Sequence, residues 1–111
     1  MVWPGLIDLH TQGDNGASTF DGVDEAYDIM SDALAKRGVT SFMATTYATP
    51  EMVRAAARAT RRRLPGARCL GIYIETPFVN PKRRGGISER FIEPPSLRRM
   101  EEIMAWAEGG A

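Results

Sequence analysis

Hydrophobic positions along the chain switch between a period of two and a helical period, marking out strand, helix, strand, helix, strand and a last helix. In the first run, Pro4-Gly-Leu-Ile-Asp8-Leu-His10, Leu6, Asp8 and His10 fall on one face and Ile7 and Leu9 on the other. Gly13-Asp-Asn-Gly16 then reads as a turn-rich loop. From Asp21 the period lengthens, with Val23, Ala26, Ile29 or Met30, Ala33 and Leu34 at helical spacing. Asp21 is the expected N-cap, Asp24 and Glu25 lie in the positively polarised first turn, and Gly38 is placed to end the helix. Val39 to Thr46 predicts a second strand with a polar C-terminal end. Thr49-Pro50-Glu51 supplies a cap, a proline at the first helical position and an acid behind it. Met52, Val53, Ala56, Ala57 and Leu64 form that helix's apolar stripe, and Pro65-Gly66 stops it. Cys69 to Glu75 predicts the third strand, and a basic loop rich in Gly and Pro runs from Pro77 to Pro95. Ser96 caps a final helix with the face Leu97, Met100, Ile103, Met104 and Ala107, and Gly109-Gly110-Ala111 is expected to fray.

This alternation implies an α/β fold with a parallel sheet. The third strand is its most informative element. Its apolar body, Leu70-Gly-Ile-Tyr-Ile, ends in Glu75, and Pro77 closes the strand two residues later. Parallel α/β folds place their chemistry at the C-terminal ends of strands. A carboxylate withdrawn from water there needs a metal ion, an arginine or a substrate cation as partner. The first strand also finishes in a metal-capable residue, His10, so the two endings suggest one shared site. Two plainer readings stand beside this one. His10 alone fits a satisfied structural histidine, and Glu75 alone fits an ion-paired strand terminus with Arg83 or Arg84 as partner. Asp8 reads as a structural carboxylate of the first strand.

Charge narrows the picture further. The net charge is zero, yet the first 35 residues hold seven acids and no bases, so the remainder carries the balancing excess of bases. Arg61-Arg62-Arg63 and Lys82-Arg83-Arg84 could form a nucleic-acid patch, but no aromatics interleave with them as stacking binders require. They fit better as a helix C-terminus, where cations complement the dipole, and a solvated loop. One cysteine, Cys69, excludes an intrachain disulfide framework, and its place in an apolar run makes it a buried strand thiol. No stretch is long and apolar enough to span a membrane and no signal-peptide pattern opens the chain. The expected setting is cytoplasmic, with no nucleic-acid or membrane partner.

With both strand endings in view, the sequence resembles the amidohydrolase superfamily and, within it, the N-acetylglucosamine-6-phosphate deacetylases. Their first barrel strand commonly reads Pro-Gly-Phe-Ile-Asp-X-His-X-His-Gly, similar to Pro4-Gly-Leu-Ile-Asp-Leu-His10-Thr-Gln12-Gly13. Gly38-Val-Thr40-Ser-Phe42-Met-Ala-Thr45-Thr46 resembles their second strand. Leu70 to Pro81, with Lys82-Arg-Arg-Gly85-Gly86-Ile87 behind it, is similar to their Leu-Gly-X-His-X-Glu-Gly-Pro-Phe-X-Asn-Pro and Lys-X-Gly-Ala-His blocks. Phe91-Ile92-Glu-Pro-Pro-Ser96 also resembles the family's continuation. The resemblance covers nearly the whole chain in one register.

What the resemblance implies is a partial TIM barrel, its first three parallel β/α units, with residues 1–111 as the N-terminal part of an amidohydrolase-type (β/α)8 domain. It implies a metal-dependent deacetylase of amino-sugar metabolism that converts N-acetylglucosamine 6-phosphate to glucosamine 6-phosphate and acetate. Glu75 would be a metal ligand and His10 a second, with a divalent metal ion, zinc by expectation, as cofactor. Gly86 and Ile87 would lie at the substrate, an amino-sugar phosphate, and the full-length protein would be a homodimer. No catalytic residue is expected within this chain, since the family's aspartate and two of its histidines would lie beyond Ala111. The isolated chain is therefore expected to be inactive, and its unpaired sheet edges should make it aggregation-prone.

Four positions depart from the family pattern: Gln12 for the second histidine of the first strand, Tyr73 for a histidine, Thr76 for a glycine and Ile87 for the loop histidine. Two other readings follow. One is a different amidohydrolase of dihydroorotase-like or allantoinase-like type, against which the Glu75-Thr-Pro-Phe block argues. The other is a non-catalytic remnant acting as a binding or scaffold domain, favoured by Gln12, Tyr73 and Ile87.

Overall fold

The computed structural model describes residues 1–109. In chain order its elements are β1 (Leu6–Thr11), β2 (Gly13–Asp14), β3 (Ala17–Ser18), α1 (Asp24–Lys36), β4 (Val39–Thr46), α2 (Pro50–Arg61), β5 (Arg68–Ile74) and α3 (Leu97–Glu108). Short 3-10 turns cover Thr19–Asp21, Pro81–Arg83 and Glu89–Phe91. The main sheet has the order β1-β4-β5, parallel throughout, with α1 and α2 as the connections between neighbouring strands. The α/β class and the three parallel β/α units read from the sequence are present. β2 and β3 make a small antiparallel hairpin where a loop was expected.

Local chemistry explains the element boundaries. Thr49 accepts from the Met52 amide and Pro50 opens α2, and Ser96 accepts from the Arg99 amide at the start of α3, as the caps predict. Gly38, at φ +85, takes the left-handed step just after the α1 C-terminus. Asp21 differs from its expected role as the α1 cap. Its carboxylate accepts from the Ser18 amide and closes a capping box on the preceding 3-10 turn, so α1 begins at Asp24 behind an uncapped Val23. The expected fraying at Gly110 and Ala111 lies outside the described residues.

The core lies between the sheet and the helices. Tyr27, Leu34, Phe42, Ala44, Ala55, Ala56, Ala59 and Cys69 pack as one cluster, and Val53, Ile103 and Trp106 form a second under α3. A register shift between Phe42 and Met43 pairs Cys69 with Phe42 and Ile72 with Ala44, so one extra residue, Leu70, is passed over. The shift keeps Cys69 and Ile72 on the helix side. Small residues on α2 allow its close approach to β5. Gly66 has the same function in the turn before β5, because a Cβ there would stand 2.4 Å from the Ser31 carbonyl oxygen. Ser31 fixes that turn, its hydroxyl donating to the Ala67 carbonyl at 2.8 Å and accepting from the Gly66 amide at 3.0 Å.

The opposite face of the sheet is open. Leu6, Ile7 and Leu9 of β1 are 64%, 57% and 67% exposed, and Leu70 and Tyr73 of β5 are also exposed. Alternating burial is therefore lost in β1, because neither face is covered. The Cα radius of gyration, 14.6 Å, exceeds the ~13 Å of a compact domain this long. Such a shape fits a sheet closed on one side only.

The charge asymmetry becomes contact between the first two helices. Arg58 of α2 pairs with Asp24 of α1 at 2.8 Å, and Arg62 pairs with Asp28 at 2.7 Å while donating to the Asp24 carbonyl. Arg61 donates to the Ala107 carbonyl near the end of α3. Acids on α1 and bases on α2 thus fix the angle between neighbouring helices. The Arg84 guanidinium of the basic loop turns onto the Ile87 carbonyl and Glu89.

Two buried groups make alkaline stability testable. Tyr27 is fully buried with no hydrogen-bond partner for its hydroxyl among the described residues, and burial first, then the Cys69 thiol, raises its pKa well above the ordinary 10.0. Burial likewise raises the Cys69 thiol above 9.0. Both raised values mean that the folded state holds protons the unfolded chain releases, so stability is intact below about pH 9 and falls as pH rises beyond it. Tyr27→Phe should remove the phenol's share of that fall and match or exceed wild-type stability at pH 7, since an unpartnered buried hydroxyl costs about 1–3 kcal/mol. Denaturant melts of both proteins at pH 7 and pH 10.5 check this. A variant less stable at pH 7 would place a hydrogen bond on that hydroxyl. In hydrogen exchange, amides of β1 should exchange faster than those of β4, because β1 is an edge with both faces in water.

Candidate functional site

The C-terminal ends of β1, β4 and β5 point the same way, and the chain's polar chemistry gathers there. Glu75 follows directly on β5, and its amide donates to the Thr46 carbonyl at the end of β4 at 3.0 Å. Gln12 follows directly on β1. Its carbonyl accepts from the Thr19 amide and the Ser18 hydroxyl, both at 2.9 Å. The Thr19 hydroxyl, fully buried, donates to the Thr45 carbonyl at 2.6 Å and lies 3.2 Å from the Gln12 carbonyl oxygen. Gln12 and Glu75 are therefore both tied to the end of β4, one through Thr19 and the other through its own backbone.

Their side chains meet over that strand end. Gln12 Nε2 donates to Glu75 Oε2 at 2.7 Å. β1 and β5 are separated by β4, two strand spacings or about 9.5 Å, so only long side chains can meet. Glu75 is half-buried and joins no ion pair among the described residues. The expected alternative partners, Arg83 and Arg84, are not on it. Its held oxygen has a neutral amide donor.

His10 is placed differently. The β1 register is irregular between Asp8 and Thr11, and the Asp8 carboxylate accepts from the His10 amide at 2.9 Å. Strict alternation therefore does not run from Asp8 to His10. The exposed His10 ring stands edge-on to Tyr73 at 5.2 Å between centroids, and Tyr73 is in register with Thr45 on the open face. The structure thus brings Gln12 to Glu75 and His10 to Tyr73. Gly86 is exposed and Ile87 half-buried, in a turn that the Ile87 amide closes by donating to the Arg84 carbonyl at 3.1 Å.

Several residues of the site were not singled out by sequence pattern. Thr19 is one, since a threonine in a turn gives no signal of a bond to a distant strand. Thr76, noted in the sequence only as a departure from a family glycine, is buried, and its hydroxyl accepts from the Ala48 amide at 2.9 Å, joining the turns after β4 and β5. Phe20, Tyr47 and Phe91 stack in sequence, at 4.6 Å and 4.9 Å between centroids, and tie three loops of this end together. The buried hydroxyls of Thr45 and Thr46 have no partner among the described residues. A cleft of about 600 Å³ between Phe78–Pro81 and Ile92–Pro95 does not include Gln12, Glu75 or His10, so its size says nothing about their chemistry.

Suitability for a metal can be judged from these donors. Glu75 offers a carboxylate with one oxygen held and no cation upon it, which suits one ligand of a divalent ion. Among the described residues no three His, Cys, Asp or Glu side chains are placed to share a metal, whereas a catalytic zinc takes three protein ligands and a water. The chain fits such an ion as a contributor, with further ligands required from elsewhere.

Comparison with known proteins agrees with this geometry. The model of the amidohydrolase family matches residues 1–109. The chain is 38% identical to N-acetylglucosamine-6-phosphate deacetylase of Bacillus subtilis (strain 168), over 98% of this chain and 30% of that protein. It is 32% identical to N-acetylgalactosamine-6-phosphate deacetylase of Escherichia coli O157:H7, over 93% of this chain and 27% of that protein. The crystal structure of N-acetyl-D-glucosamine-6-phosphate deacetylase from Mycobacterium smegmatis superposes with a TM-score of 0.79 at 25% identity, over 97% of this chain and 31% of that one. The chain thus spans about 30% of the length of the relatives it matches. Three parallel β/α units with a lone carboxylate at their C-terminal mouth, matched from end to end by one family, place the chain in the amidohydrolase family.

Proposed function

We propose that this chain forms part of a metal-dependent amide hydrolase that removes the acetyl group from an N-acetylated amino-sugar phosphate. N-acetylglucosamine 6-phosphate is the substrate favoured, with glucosamine 6-phosphate and acetate as products. The observation that carries this reading is Glu75, a half-buried carboxylate at a strand end, held by an amide and in no ion pair among the described residues. The names of the relatives support the substrate class, an N-acetylhexosamine 6-phosphate.

Glu75 is the metal ligand in this reading, and His10 the second candidate from this chain. A divalent metal, zinc by preference for mixed carboxylate and imidazole ligands, supplies when bound an acidified water and a Lewis acid at the developing oxyanion. The chain's own residues supply position. The Thr46 carbonyl fixes the Glu75 backbone, Gln12 fixes its carboxylate, and the aromatic stack of Phe20, Tyr47 and Phe91 holds the surrounding loops. Gly86 and Ile87 are placed at the substrate, where Ile87 offers packing and no side-chain hydrogen bond. The proton for the leaving amine comes from outside this chain, since Asp8 is bound to the His10 amide and lies along β1, before its end. The whole protein is read as a cytoplasmic homodimer; no helix described here is long and apolar enough to cross a membrane. A second reading, a binding domain without turnover, is favoured by Gln12, Tyr73 and Ile87 at positions where the family pattern has histidines.

Acetate release from N-acetylglucosamine 6-phosphate and N-acetylgalactosamine 6-phosphate, measured beside metal content, tests the proposal. Glu75→Gln should lower metal affinity and rate together by at least about tenfold, since losing an outer-shell partner alone costs about 10–100-fold. If the variant kept both, Glu75 would have no metal role. Residues 1–111 alone should release acetate only at background, because they assemble no three-ligand centre. Turnover by those residues alone would reveal a site built in another way.

A further inference from the structure

We propose that Gln12 is a positioning residue for the metal-binding carboxylate, holding Glu75 Oε2 and so fixing how the carboxylate would face an ion. The inference rests on the metal reading above and adds a residue to it. Four observations carry it. The Gln12 Nε2–Glu75 Oε2 bond, at 2.7 Å, is short for an amide–carboxylate bond and spans a whole strand to form. The Gln12 backbone is over-determined, its carbonyl receiving the Thr19 amide and the Ser18 hydroxyl with the Thr19 hydroxyl also within reach. Thr19 is fully buried and joined to the Thr45 carbonyl, so the base of the Gln12 side chain is fixed to the same strand end as Glu75. Glu75 has no ion pair among the described residues, which leaves the amide as the group that orients its carboxylate.

The chemistry follows from this geometry. A carboxylate with one oxygen held by a fixed donor is restrained in rotation, which leaves its other oxygen the freer to meet a cation. Part of the ordering entropy is then met before the metal arrives. A primary amide suits this role because it donates a hydrogen bond without carrying charge, so it does not repel the cation as Lys or Arg would. Length matters equally. Asparagine would stop one methylene short of Glu75 across the β4 end.

The test uses the protein as its gene encodes it, with Zn²⁺ and Co²⁺ as probes. Gln12→Met keeps the reach without the donor, and Gln12→Asn keeps the amide and polarity without the reach. Each should bind Zn²⁺ about 10–100-fold more weakly in chelator competition. Each should also change the visible absorption of the Co²⁺ form, as Glu75 loses its fixed orientation. The melting temperature of the metal-free protein should stay close to wild type for Gln12→Asn, which separates positioning from folding. Wild-type affinity together with a wild-type Co²⁺ spectrum in Gln12→Asn overturns the role of Gln12. A wild-type protein that binds neither ion overturns the metal reading itself, and the role of Gln12 with it.

Discussion

Parallel pairing of β1 and β5 onto the two edges of β4 is the constraint on which the rest depends. It sends three strand ends to one side, where the sequence puts polar residues: Gln12, Thr45, Thr46 and Glu75. Backbone groups freed where pairing stops must find partners. The Glu75 amide finds the Thr46 carbonyl, and the Thr45 carbonyl finds the Thr19 hydroxyl. Those two bonds satisfy the end of the central strand and, in doing so, carry a glutamine and a glutamate to opposite sides of it. The polar pair is thus a consequence of how this sheet terminates, and it would not form if β1 and β5 were neighbours in another order.

The same pairing explains the division of the molecule into a closed and an open side. Helices return over one face only, because each connection from one parallel strand to the next is right-handed. Phe42, Ala44 and Cys69 are consequently buried and Ile72 is half-buried against them, whereas Leu6, Ile7, Leu9 and Tyr73 meet water. Ion pairs between α1 and α2 sit on the outer surface, where each contributes little alone. They join two helices that the core already packs together through Tyr27, Leu34, Ala55 and Ala59. An uneven charge distribution along a sequence can therefore reflect which helices are neighbours.

Much of this was legible from periodicity. The strand Val39–Thr46, the cap at Thr49 and the cap at Ser96 could be read because each rests on interactions within a few residues. The approach of Glu75 to the end of β1 was legible in outline, because parallel topology brings strand ends together. What could not be read was which side chain would arrive. His10 lies two residues before Gln12, and the irregular register near Asp8 decides that the imidazole meets Tyr73 while the amide meets Glu75. A one-residue register change is invisible to pattern. Asp21 shows the same limit: a good capping residue beside two possible turns was taken by the 3-10 turn, where Ser18 completes a reciprocal pair.

The four positions that depart from the family pattern bear on whether this site is maintained. A site freed from use accumulates groups that face nothing in particular, and buried polar groups among them are costly. Here Gln12 spans a strand to reach a carboxylate, and Thr76 receives the Ala48 amide in the buried turn behind Glu75. Tyr73 packs its ring against His10. Ile87 closes a turn through its backbone, a role any residue with an amide N–H could fill, and its side chain can make no polar contact. Three of the four substitutions are thus built into contacts that hold the mouth of the sheet in shape. Those three departures have structural roles of their own, while the buried hydroxyls of Thr45 and Thr46 at the same mouth have no partner among the described residues.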